Sequence, residues 1–169
     1  LTRIRRRHVW IAVAIAAAFA LGTLLPAAFG SSQAPPTAVR HALAQTDSVR
    51  GAPSRTMVLS KVVVEPGAKL ATHHHLGTQI SRVVAGTLTY TVRRGSATLN
   101  SGEAEHPHLI RRIQAGQTAQ IHPGQWLVEQ PSDIHEAANR GSKPVVIYLA
   151  TLLETGAPPS TPVILPAGS

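Results

Sequence analysis

From residue 55 onward, apolar and polar positions follow one another in short runs cut by Gly and Pro, and the period is two rather than 3.6. Val, Ile, Thr and Tyr carry these runs. The pattern predicts strands over residues 56–64, 71–75, 79–85, 87–92, 118–121, 126–129, 134–139 and 145–151. In 87–92 the alternation is clean, with Leu88, Tyr90 and Val92 on the face that turns to the core. Residues 145–150 are apolar without interruption, which predicts a strand covered on both faces. Arg93, Arg94, Gly95 and Ser96 make a hairpin turn, with the arginines in solvent. Because sustained helical periodicity is missing from this part of the chain, the pattern indicates an all-β barrel or jelly roll, a class that holds ligands in its interior.

The ends read differently. Arginines at positions 3, 5, 6 and 7 precede an apolar stretch over residues 9–25, and small residues follow at Ala28 and Gly30. That order is the order of an export signal cut before Ser31, or of an uncleaved membrane anchor, since 17 apolar residues reach the lower edge of a spanning length. Arg6 and Arg7 also bear a faint likeness to a twin-arginine signal. Residues 31–52, rich in Ser, Pro, Gln and Ala, form an expected linker with a short helical turn near 38–43, and His41 there is read as solvated. Residues 53–153 are the expected barrel. Residues 154–169, with four prolines, form an extended tail.

Composition narrows the partners. The formal net charge is +8, but four of those charges sit in the terminal arginine cluster. From residue 31 onward, twelve basic residues face eight acidic ones and no basic stripe forms, so no nucleic-acid partner is expected. The chain has no cysteine, which excludes disulfides, thiolate metal sites and cysteine nucleophiles. At 169 residues there is room for one domain and an appendage, and nothing in the composition opposes a homodimer.

Candidate chemistry gathers between Gly67 and Gly86. His73 and His75 stand at i and i+2 in a predicted strand, so both face one way and His74 faces the other. Their side-chain roots would be roughly 6 to 7 Å apart, close enough for two imidazoles to share one metal ion at bonds of about 2 Å. The residues Gly67, His73, His75, Gln79 and Gly86 fill the pattern G-x5-H-x-H-x3-Q-x6-G. A second group follows after an insert: Gly124, Pro131, His135 and Asn139. Together they resemble the two motifs of the cupin superfamily, with Gln79 where the first motif has Glu. The second motif has one extra residue between Gly124 and Pro131 and one fewer before His135, with Asp133 in place of the usual Gly.

The resemblance implies a single double-stranded β-helix, or jelly-roll, barrel in which the motifs face each other across a pocket, preceded by the N-terminal apolar signal or anchor helix. His73, His75 and His135 would be metal ligands, and Gln79 would stand in the carboxylate position. An amide is a neutral and poorer ligand than a carboxylate, so the centre would keep its full +2 charge and favour anionic substrates. Residue 79 could not act as a general base. Fe, Mn, Ni, Cu and Zn all suit three imidazoles, and a metal-free pocket lined by the histidines is the other reading. Two function classes stay open: an exported metal-dependent oxygenase or isomerase acting on a small organic molecule, and a binding cupin that captures a sugar or carboxylate without turnover. Tyr90 and Trp126 are the aromatics expected at the pocket wall. Within the insert, residues 97–116, a second cluster of Glu103, Glu105, His106 and His108 is read as an exposed loop, and Arg111 with Arg112 as a surface pair.

Export is testable directly. N-terminal sequencing of the product should find Ser31, or fractionation should place an uncut chain in the membrane through residues 9–25; a cytoplasmic product starting at Leu1 would overturn the reading.

Overall fold

The computed structural model describes residues 35–131 and 133–166. The expected signal or anchor helix lies outside these residues. Among the described residues, no helix is long and apolar enough to cross a membrane.

Twelve strands follow one another: β1 Ala38–Thr46, β2 Arg55–Val64, β3 Lys69–His74, β4 Gly77–Ala85, β5 Leu88–Arg94 and β6 Ser96–Ser101, then β7 His108–Gln114, β8 Thr118–Ile121, β9 Trp126–Glu129, β10 Ile134–Ala138, β11 Val145–Glu154 and β12 Thr161–Pro162. They form two antiparallel sheets. The larger runs β1-β2-β11-β4-β9-β6-β7 and the smaller β12-β3-β10-β5-β8. From β2 to β6 and from β7 to β12 successive strands cross between the sheets, as in a jelly roll. Inward side chains at period two, among them Val64, Val83, Tyr90, Val92, Ile121 and Val145, build one core between the sheets.

Four local expectations change. The helical turn near residues 38–43 does not form; this part of the expected linker is β1, paired with β2 along its length. A single isolated helical turn gains little, whereas the open edge of β2 offers a row of backbone hydrogen bonds. The insert is a hairpin rather than a loop: β6 and β7 pair, with Ala97, Leu99 and Ile113 inward, and only its tip at 102–107 is unpaired. In β11 only alternate residues are buried, and Tyr148 is 40 % exposed, so that apolar run covers one face of the core and presents the other outward. In the expected tail, β12 pairs with β3 and so reaches the barrel.

The motif glycines and asparagine shape turns. Gly86 has φ +73°, and a Cβ there would meet the Pro144 carbonyl oxygen at 2.7 Å, so only glycine fits. Asn139 is 1 % exposed and ties three backbone groups: its Nδ2 donates to the Val64 and Lys143 carbonyls, each at 2.8 Å, and its Oδ1 accepts from Gly141 N–H at 2.9 Å. Replacing Asn139 by Ala strips these partners, and denaturant unfolding should show a loss of roughly 2 to 4 kcal/mol. A loss below about 0.5 kcal/mol would mean that the turn does not depend on this side chain.

Candidate metal centre

Strand alternation sends His73 inward from β3 and His74 outward, and His75 points inward again just past the strand. His135 on β10 is the cross-strand neighbour of His73. The three imidazoles come together as the sequence predicts: their ligating nitrogens lie within 4.8 Å of one another. His75 and His135 are 1 % and 3 % exposed and His73 9 %.

Two carbonyls fix which ring nitrogen faces the cavity. His73 Nδ1–H donates to the Ala71 carbonyl at 2.6 Å, and His75 Nδ1–H to the Pro159 carbonyl at 2.7 Å. Since a carbonyl can only accept, each Nδ1 carries the proton and each Nε2 keeps its lone pair for the interior. The Tyr90 ring stacks on His135 with centroids 5.1 Å apart. Trp126 does not reach the cavity; it alternates with the inward Leu127 and faces the outer side of the sheet.

Gln79 lies at the site, but it does not stand alone. Its cross-strand neighbour on β9 is Glu129, 2 % exposed. The Gln79 amide nitrogen donates to Glu129 Oε2 at 2.5 Å and lies 3.3 Å from His75 Nε2, while its oxygen faces Arg40 Nη2 at 3.5 Å. Glu129 Oε1 is 3.4 Å from His135 Nε2, and Oε2 is 3.8 Å from His75 Nε2. A carboxylate is therefore present beside the imidazoles, supplied one strand away from the position the motif assigns.

Sequence reading missed two residues here, Glu129 and Arg40. Glu129 follows Leu127 at i+2, so the pattern that buries Leu127 also turns an acid inward, and that alternation was the available signal. Arg40 had none, because its direction depends on β1 pairing with β2.

Charge in the cluster is coupled. Burial pushes the Glu129 carboxyl up, but His135, His75, the Tyr90 hydroxyl and the Gln79 amide outweigh it and hold it below the ordinary carboxylate range. Burial pushes all three imidazoles down, against the partial support of Glu129. Burial and the Glu129 charge push the Tyr90 hydroxyl up, so it stays protonated. Three buried imidazoles, two of them with Nδ1 committed to carbonyls, and an ionised carboxylate beside them suit a divalent transition metal.

A cavity of about 350 Å³ opens on this cluster, lined by Arg40, His73, Tyr90, Glu129 and His135 with apolar Leu127 and Ile147. The second cluster does not assemble: His106 and His108 are exposed, Glu103 pairs with Arg82 at 3.0 Å, and the only three-ligand group among the described residues is the histidine triad.

No family model and no curated protein matches the sequence. Solved structures do. The chain is similar to a cupin 2 domain-containing protein from Halorhodospira halophila at 14 % identity, over 80 % of this chain and 76 % of that one, with a TM-score of 0.50. It is also similar to KdgF from Halomonas sp., at 19 % identity over 68 % of this chain and 79 % of that one, TM-score 0.45. A third is a DMSP lyase, at 15 % identity over 56 % of this chain and TM-score 0.41, and there the match spans only 37 % of the other chain. The likeness to the Halorhodospira halophila protein shows a cupin fold.

The buried imidazoles make the metal-free protein sensitive to acid. Their folded pKa values lie below the unfolded 6.5, so between the two the unfolded chain binds more protons and stability falls as pH drops. Glu129 extends the loss below about pH 4, because its folded value lies under the unfolded one of about 4.3. Thermal melts of chelator-treated protein should show a midpoint that is flat above about pH 7 and declines below about 6.5. A midpoint that rises on acidification would mean that the imidazoles are charged in the folded state.

Proposed function

From this cupin fold and its interior cluster, we propose that the protein is a metal-dependent enzyme acting on a small organic molecule held in the cavity, of the oxygenase or isomerase class. The observation that supports the reading is the trio of imidazoles whose ligating nitrogens lie within 4.8 Å of one another, with the Glu129 carboxylate 3.4 Å from His135 Nε2 and 3.8 Å from His75 Nε2. His73, His75 and His135 would hold a divalent ion of Fe, Mn, Ni, Cu or Zn. Glu129 would supply the negative ligand that residue 79 cannot, and Gln79 would orient it through the amide hydrogen bond. When bound, the ion would polarise a substrate oxygen, or exchange electrons if it is redox-active. The chain's own contribution is to fix the tautomers of His73 and His75, to line the cavity in part with apolar side chains, and to keep the Tyr90 hydroxyl protonated beside the carboxylate.

A second reading, a cupin that binds a sugar or carboxylate without turnover, draws on one observation. Glu129 is the carboxylate lining the cavity and is held ionised, so it does not trade a proton near neutrality. Metal analysis followed by oxygen uptake with candidate substrates separates the two: bound Fe with substrate-dependent uptake supports an oxygenase, and turnover without uptake an isomerase. Absence of both with retained ligand binding supports the binder. The arginine cluster and the apolar run over residues 9–25 support an exported or membrane-anchored product.

Metal titrations test the ligand set. His73→Ala, His75→Ala and His135→Ala should each lower divalent-metal affinity by more than roughly 100-fold, while His74→Ala should stay near wild type. Glu129→Gln should weaken it by roughly 10-fold or more. A His74→Ala loss equal to the others, or an unchanged Glu129→Gln, would overturn the assignment.

A further inference from the structure

Arg40 is the charged side chain that the site has not yet used. It projects from β1 into the interior, is half-buried, and lines the cavity beside the imidazoles. It also lines a second cavity of about 400 Å³.

Its hydrogen-bonding capacity is largely unspent. A guanidinium carries five N–H donors. Among the described residues Arg40 makes one hydrogen bond, to Gln79 Oε1, and at 3.5 Å that bond is long. Glu129 is the nearest opposite charge, but its oxygens are engaged by the Gln79 amide and by the two imidazoles. In the first cavity the other cation is Lys69, exposed, so that Arg40 and Lys69 oppose the single carboxylate of Glu129. The second cavity is lined by Asp47 and Glu154, both exposed, which disfavour an anion there.

We propose that Arg40 forms an anion subsite of the first cavity that binds a carboxylate group of the substrate, so that the ligand is a small organic acid anchored beside the imidazole cluster. The planar guanidinium presents paired donors that match a carboxylate in two parallel hydrogen bonds. The cavity volume of about 350 Å³ suits a compact acid. An anionic preference, which the sequence attributes to an uncompensated metal charge, thereby rests on Arg40 instead. The inference depends on the first cavity being the substrate site proposed above.

The test uses the full chain as purified, with metal content measured on each sample, and calorimetric titration with malonate, malonamide and inorganic phosphate. Wild type should bind malonate at least roughly tenfold more tightly than malonamide, and Arg40→Met should lose roughly tenfold or more for malonate alone. Arg40→Lys should fall between. Equal malonate affinity in wild type and Arg40→Met overturns the proposal, as does phosphate binding as tight as malonate with the same loss. If Arg40→Met does not fold, the wild-type comparison decides: equal affinity for malonate and malonamide overturns the subsite. A metal-free wild type that still shows the Arg40-dependent preference upholds the subsite and defeats only the metal reading. A metal-loaded wild type indifferent to the substitution does the reverse.

Discussion

A carboxylate sealed from water has to be met by charge or hydrogen bonds, and in this protein the burial of Glu129 governs the arrangement of everything around it. At 2 % exposure it would favour its protonated form if left alone. Gln79 donates to one oxygen, the His135 and His75 rings approach both, and Arg40 brings its positive field from β1. The imidazoles in turn stay neutral because burial opposes their protonation more than Glu129 supports it. The result is a set of groups whose protonation states depend on one another. Such a network loses much more by the removal of one member than any pair would suggest.

The two sheets divide this work. The smaller sheet contributes His73, His135 and the stacked Tyr90; the larger contributes Arg40, Gln79 and Glu129. His75 sits at the turn where the chain passes from one to the other. Face-to-face packing of apolar side chains elsewhere in the barrel sets the distance between these two groups. The polar cluster is therefore positioned by a core that takes no part in its chemistry. The C-terminal residues add a support that lies far away in the chain, since the Pro159 carbonyl holds the His75 ring and β12 pairs along β3.

Legibility varied with the range of the interaction involved. His73 and His75 could be placed on one face because strand alternation is a property of the local backbone, and the motif spacing added His135. Predicted strands such as 118–121 and 126–129 coincide with β8 and β9 because their β-branched and apolar residues agree with their surroundings. The same alternation could have exposed Glu129 behind Leu127, yet an acid in a strand gives no sign of which face is interior until the sheet is assembled. Trp126 and Tyr148 went outward for the same reason: an apolar residue is free to face either side of a sheet, and only the packed partner decides.

The sequence by itself determined the all-β class, the strand period, the turns that need glycine, and the histidines that share a face, since each follows from sterics within a few residues. Tertiary structure alone decided that residues 38–46 become a strand and carry Arg40 inward, that the chain end returns to hold His75, and that the carboxylate comes from β9. Those outcomes depend on which edges pair and which faces meet. Such contacts join positions as far apart as Gln79 and Glu129, and no local preference encodes them.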